Sequence, residues 1–294
     1  MLKYSVFSLA LLTASCAPTE AASNTLNESC ANYFNSGELL NRYEDTLILL
    51  GETHGTDQSE EAALSLICEA KRTDTKIAVG IEMPIAQSSS IGEAVANDGD
   101  TQALKAAADL IWSGQDGRGS SSKLRFFQKL QSLDENGEHI HVFAFDADPF
   151  TYTSTDERET AMAKHLDTFL LGWEGPVIVL TGDFHARKIP LDLGEVKLTP
   201  MAMKVTARDV SSFIMLHDGG EAWLHISYDD GQGNKVVEIG ENEMYATAPA
   251  GLETDKFIFK PHPADPDESA YDGYFNVGEL TASPPAFPDL VNSD

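Results

Sequence analysis

The residues of this chain best able to do chemistry stand where apolar runs end. "LILLGETHGTDQSEE" begins at Leu47 and passes from four apolar residues into Gly51, Glu52, Thr53 and His54. "VIVLTGDFH" ends the same way in Asp183 and His185, while "AVGIEMP" delivers Glu82 and "FAFDADP" delivers Asp146. The spacing Gly-x-x-His recurs in "GETH" and "GDFH", and a glycine there lets the backbone turn sharply and aim the histidine over the edge. Two imidazoles and two carboxylates at one point can hold a divalent metal, with His54, His185 and Glu82 as the ligand set. Alternatively, a carboxylate orients an imidazole that takes a proton from water. Glu82 closes an apolar run, and a carboxylate buried in that way needs a partner. Arg158 opens the helical pattern "RETAMAKHL", where a cation opposes the helix dipole. A residue so poor for the helix is suited to bind an oxyanion or a carboxylate.

Bringing these residues together requires strands that end side by side, because ligands of open parallel sheets bind outside the carboxyl ends of the strands. "TLILLG", "KIAVGIEM", "HIHVFAFD" and "PVIVLTG" are continuous apolar runs, as strands buried on both faces are. Asp57 with Glu60 reads as a capping box, followed by Ala63, Leu66, Ile67 and Ala70 on one helical face. Ser154 with Glu157 opens a second helix, whose stripe is Met162, Leu166, Phe169 and Leu170. Strands alternating with helices make βαβ units. Later strands, over about 205–239, are joined by "DGG" and "DDGQGN", which read as hairpin turns. The expected fold is therefore α/β, with a mostly parallel central sheet flanked by helices and an antiparallel C-terminal portion, in one domain over residues 23–294. "SGQDGRGSSSK", from Ser113, is a loop able to overhang a site, and "TASPPAFPDLVNSD" reads as an irregular segment on the surface.

Hydrophobic residues at 42% and charged residues at 23% give a globular balance. The net charge of -27, from 47 acidic and 20 basic residues, repels nucleic acid but says little about the substrate, for which a small molecule or a peptide is the expectation. Residues 1–22 place Lys3 ahead of an apolar run and then small residues, which reads as a secretory signal peptide. "LTASC" also resembles a lipobox in which Cys16 would be the lipidated first residue, with Thr13 where leucine is usual. No later apolar run reaches the roughly 18 residues needed to cross a bilayer. The chain is thus expected to be exported, in the periplasm or tied to the cell envelope only by a lipid on Cys16. In such a compartment Cys30 and Cys68 are expected to close a disulfide.

"LLGETHGT", "VGIEMP", "FAFDAD", "RETAMAKHL" and "VIVLTGDFHARKIP", in that order, resemble the superfamily that joins erythromycin esterases, ChaN-like haem-binding lipoproteins and the Tiki and TraB proteins. Within it the chain is most similar to an exported bacterial group with "GExHGT", a "GNxHAR"-like motif and "GGxAW"; here the last two read "GDFHAR" and "GGEAW", with Asp183 in place of the usual asparagine. The resemblance implies Glu52, His54, Glu82, Arg158 and His185 as the site, with Asp146 and Asp183 secondary. It also implies three different functions, since the esterases hydrolyse with water activated by histidine, Tiki-like members are metal-dependent proteases, and ChaN-like members bind haem. The leading expectation is an exported hydrolase of an ester, lactone or amide, with His54 as general base and a divalent metal as its variant. No G-x-S-x-G nucleophile elbow is present. The alternatives are a periplasmic haem-binding lipoprotein, for which Tyr152 is the nearest tyrosine to the motifs, and a non-catalytic interaction protein for which the Asp183 replacement argues.

Overall fold

The four apolar runs form β1 (Leu47–Glu52), β2 (Ile77–Pro84), β3 (Ile140–Asp146) and β4 (Val177–Gly182), buried along almost their whole length. The structure is a computed structural model and describes residue 30 and residues 39–43, 45–73, 75–97, 100–114, 116–134, 137–192, 197–224, 235–239, 259–261 and 269–291. The signal-peptide region with Cys16, and the "DDGQGN" turn, lie outside the described residues. The remaining strands are β5 (Leu191–Asp192), β6 (Lys197–Leu198), β7 (Val210–Leu216), β8 (Gly220–Leu224), β9 (Lys235–Ile239), β10 (Phe259–Pro261) and β11 (Gly273–Asn276). Seven of them make one sheet in the order β10-β11-β7-β1-β4-β2-β3, in which β10 alone is antiparallel to its neighbour. Two small antiparallel pairs, β5–β6 and β8–β9, stand outside it. The fold is α/β as expected, and residues 33–294 group as one compact unit.

Register sets the height of each polar end. Glu52 pairs with Gly182 across β1 and β4, and Ile81 pairs with Leu180 across β2 and β4. Beyond Ile81 the β2–β3 register slips, so that Pro84 comes opposite Asp146. A bulge of this kind re-aims side chains, and here Glu82 lies inside it. The helix Thr155–Leu170 covers one face of the sheet, where Met162, Leu166 and Leu170 pack with Leu47, Leu49, Phe143, Val177, Val179 and Ile214. Phe169 completes that stripe by stacking on Phe143. In the helix Ser59–Arg72 the expected stripe of Ala63, Leu66, Ile67 and Ala70 is fully buried.

Two local expectations fail for identifiable reasons. Asp57 and Glu60 do not form a capping box: Gln58 is the N-cap and makes no side-chain cap bond. Asp57 instead takes Arg125 Nη2 at 2.6 Å, and Glu60 is buried against Lys123 Nζ at 2.9 Å. Ion pairing has outcompeted capping. Nor does "DGG" close a hairpin, because β7 is an interior strand between β1 and β11 and β8 leaves the sheet. Gly219 and Gly220, with φ of 82° and 119°, turn the chain away, and a Cβ on Gly220 would lie 2.3 Å from Leu280 O. The Ser154 cap holds, accepting from Glu157 N at 3.2 Å, while Glu157 Oε2 reaches back to Thr153 N at 2.7 Å.

Residues 281–287 act as a strap. Asp57 N donates to Thr281 O at 2.9 Å, Ser283 N to Gly55 O at 2.8 Å, Ser121 N to Pro284 O at 2.7 Å and Ala286 N to Gly119 O at 3.0 Å. Ser122 N also donates to Ser283 Oγ at 2.9 Å. The strap thus joins the loop after β1 to the loop that precedes the helix Ser121–Leu133. β8 adds to the same knot, with Trp223 N donating to Gly55 O at 2.9 Å, so "GGEAW" braces the turn that carries His54. Cys30 and Cys68 are disulfide-bonded, as expected. Among the described residues no helix is long and apolar enough to cross a membrane.

Gly55 takes φ of 71°, and a Cβ there would sit 1.9 Å from Trp223 O. Gly55→Ala is therefore expected to cost at least about 1–3 kcal/mol from the backbone conformation alone, with the clash added. Equilibrium urea unfolding of the two proteins measures it.

Candidate active site

Glu52, His54, Glu82, Arg158 and His185 meet at the carboxyl edge of the sheet, around Glu82. This carboxylate is 4% exposed, so neighbouring groups must carry most of its charge. Its Oε2 accepts from Thr181 Oγ1 at 2.8 Å and from Gly182 N at 2.7 Å. Its Oε1 accepts from Arg158 Nη2 at 2.8 Å, with Arg118 Nη1 at 3.4 Å. The two imidazoles flank it, His54 Nε2 lying 3.6 Å from Oε2 and His185 Nε2 lying 3.5 Å from Oε1. Gly182 separates them: a Cβ there would stand 3.1 Å from His54 Nε2 and 3.5 Å from His185 Cδ2.

Each imidazole has a carboxylate behind it. His54 Nδ1 donates to Glu52 Oε1 at 3.0 Å, and His185 Nδ1 lies 2.7 Å from Glu159 Oε1. Glu159 is fully buried and its other oxygen accepts from Met201 N at 2.7 Å. The hydrogen bond to Glu52 fixes the His54 ring and directs Nε2 into the site, whereas the His185–Glu159 contact is an ion-pair approach in which neither Nδ1 nor Oε1 makes a hydrogen bond among the described residues. Asp146 holds both arginines: Arg158 donates Nε to Oδ1 at 2.9 Å and Nη2 to Oδ2 at 2.7 Å, and Arg118 donates Nη1 to Oδ2 at 2.7 Å. Arg118 is itself gripped by Asp116, through Nε at 2.8 Å. Arg158 Nη1 lies 3.3 Å from His185 Nε2, so its guanidinium touches Asp146, Glu82 and His185 at once.

Asp183 stands apart. Its side chain is exposed, and Oδ1 accepts from Phe184 N at 2.6 Å. The carboxylate that serves His185 is Glu159. Spacing singled out Asp183 because it is two residues from the histidine, but the turn after β4 points the two side chains different ways. Arg118, Asp116, Glu159, Lys123 and Thr181 also belong to the centre and were not singled out. Arg118 lies in "DGRGS", inside the loop expected to overhang a site, and its flanking glycines were the available signal. Gly117 packs so closely on the His54 loop that a Cβ would be 2.6 Å from Gly55 N. Glu159 follows Arg158 directly in "RET", but only the packing of its helix against the turn at Met201 shows which way it faces.

Electrostatics follow from burial and crowding. Burial works against a charged His54, yet Glu82 and Glu52 outweigh it and push the imidazole up to about 10. For His185, burial is again opposed, by Glu82 and Glu159, and the ring is pushed up to about 9. Glu82 would be raised by burial, but His185 and His54 hold it well below the usual carboxylate range. Burial and then the surrounding carboxylates act on Arg158 and Arg118, whose charge is reinforced.

The donor set does not fit a divalent metal. Both oxygens of Glu82 are taken by Arg158, Thr181 and Gly182, and the Arg158 guanidinium puts a permanent cation 3.3 Å from His185 Nε2. Among the described residues, no group of three or more His, Cys, Asp or Glu side chains is arranged to hold a metal ion.

The shifts fix how stability must vary with pH. The histidines bind protons more tightly folded than unfolded, so their contribution is complete below the ordinary value of 6.5 and is lost as pH rises through about 9 and about 10. Glu82 and Glu52 bind protons less tightly folded, so theirs is complete above the ordinary 4.5 and is lost as pH falls below it. Denaturant unfolding across pH 4–10 is expected to show greatest stability between about 4.5 and 6.5, with a decline on either side. A His54→Ala/His185→Ala protein should lose most of the alkaline decline.

No protein-family model matches the sequence, and no curated protein matches it. Solved structures do match. A mutant of the erythromycin esterase EreC in its open conformation aligns with a TM-score of 0.58 at 13% identity, covering 85% of this chain and 94% of that one. A Bacillus cereus protein gives 0.52 at 11% identity, covering 92% and 99%. A succinoglycan biosynthesis protein gives 0.53 at 10% identity, covering 91% and 99%. At these identities the likeness is one of architecture, and the chain has an erythromycin esterase-like fold.

Proposed function

We propose that this protein is an exported hydrolase that cleaves an ester, lactone or amide bond with water activated at His54. The observation that carries the reading is the arrangement of the two imidazoles, each backed by a carboxylate on Nδ1 and each turning Nε2 toward Glu82. With Nδ1–H donated to Glu52, the neutral ring of His54 presents the Nε2 lone pair to a water, and its side chain is 17% exposed against 9% for His185. His54 takes the proton, the hydroxide oxygen adds to the carbonyl carbon, and the oxyanion that forms is stabilised by the fixed guanidinium of Arg158. Arg118 supports the same charge. Collapse of the adduct breaks the carbon–oxygen or carbon–nitrogen bond, and an imidazolium, at His54 or His185, returns the proton to the leaving group. Asp146 and Glu82 hold the arginines in place throughout. Export is part of the proposal, supported by the disulfide of Cys30 and Cys68.

A base that stays protonated up to about 10 is scarce at neutral pH, so kcat/KM is expected to rise with pH into the alkaline range. Glu82→Gln removes the largest influence raising His54 and should move that limb to lower pH while lowering the maximal rate. A screen of ester, lactone and amide substrates should show at least about a hundredfold loss in His54→Ala; activity undiminished by the change would remove His54 from its role. Gly182→Ala, which puts a methyl group between the imidazoles, should fold normally by circular dichroism and lose activity. Chelation is expected to leave the rate unchanged, and haemin to show no Soret shift on mixing with the protein.

A further inference from the structure

Lys123 is a buried cation that the proposed chemistry does not use. Its side chain is 3% exposed, in the first turn of the helix Ser121–Leu133. Nζ lies 2.9 Å from Glu60 Oε1 and 3.5 Å from Glu52 Oε1, and Ser122 Oγ donates to Glu60 Oε2 at 2.6 Å. Glu60 is therefore satisfied on both oxygens, by Lys123 and Ser122, whereas Glu52 is not. Oε2 of Glu52 has no hydrogen-bond partner among the described residues, so Oε1 alone sets how the carboxylate is turned. That oxygen faces two groups, His54 Nδ1 and Lys123 Nζ.

We propose that Lys123 is a positioning residue of the site: from the helix Ser121–Leu133 it holds Glu52 ionised and turned toward His54, and so fixes which nitrogen of His54 faces the substrate. A buried carboxylate with no cation beside it takes up a proton or leaves the interior. A protonated Glu52 could donate to His54 Nδ1, which would invert the tautomer and put the hydrogen on Nε2. Burial by itself would raise Glu52, and Lys123 is the chief influence holding it down, ahead of His54. The strap that joins the loop at Gly55 to Ser121 and Ser122 keeps donor and acceptor in register, since the lysine and the histidine come from opposite ends of that knot. This inference deepens the hydrolase reading and depends on it for its kinetic half.

Two measurements test it. In ¹⁵N-histidine-labelled protein a downfield Nδ1 proton is expected from His54, assigned by its loss in His54→Ala. Lys123→Met, which keeps the apolar stem, should remove or strongly shift that resonance in a protein that still unfolds cooperatively. Kinetically it should lower kcat by about tenfold or more with KM nearly unchanged, and Glu52→Gln/Lys123→Met should be no slower than Glu52→Gln alone. If Lys123→Met does not fold, Lys123→Met/Glu60→Gln removes a cation and an anion together, and the same changes are expected. An unaltered His54 resonance in either folded variant, or a loss from Lys123→Met that adds in full to that of Glu52→Gln, overturns the proposal. A protein inert toward every substrate would end the hydrolase reading and leave the resonance test of Lys123 standing.

Discussion

Everything at the carboxyl edge of the sheet is arranged around the cost of keeping the Glu82 carboxylate charged inside the protein. A single buried ion without partners is expensive, and the chain spends its local resources on this one. The bulge in β2 turns the side chain inward, β4 supplies a hydroxyl and an amide, and the helix after β3 supplies Arg158. The compensation brings new charges that themselves need partners. Arg158 needs Asp146, Asp146 recruits Arg118, and Arg118 is tied by Asp116. The result is a charge network in which removing one partner leaves others uncompensated.

This explains why Arg158 sits in the first turn of its helix against the helix dipole. The unfavourable interaction there is worth on the order of 0.3–1 kcal/mol, whereas an uncompensated buried carboxylate costs several. The acidic first turn of the same helix, Asp156 and Glu157, also moderates the conflict. The larger effect wins, and local helix preference yields to the demand of the site.

Much of the fold was legible from the sequence because β1 to β4 are continuous apolar runs, and such runs have one favourable environment, a sheet covered on both faces. His54, His185, Glu82 and Arg158 were legible for a related reason, as polar residues where an apolar pattern stops or as a cation where the dipole resists it. Glu159, Lys123 and Arg118 carry no such mark. Glu159 and Lys123 lie inside amphipathic helices, where a charged residue reads as solvated surface, and only the docking of each helix turns it inward. Asp57 and Glu60 illustrate the converse error: a pattern with a local meaning was claimed by partners from the helix Ser121–Leu133. Asp183 shows that closeness in sequence is a poor guide to closeness in space at a turn.

The strap of residues 281–287 has an evolutionary consequence. Ser122 and Ser283 are separated by 161 positions, yet their bond helps hold the loop that carries His54 against the loop that carries Arg118. A related chain could keep "GETHGT", "GIEMP" and "GDFHAR" intact and lose only the strap, and it would retain the letters of the site without its geometry. Motif inheritance and functional inheritance can therefore part company in this fold, and the Ser283 region, which takes no part in the proposed chemistry, is where that divergence would be read.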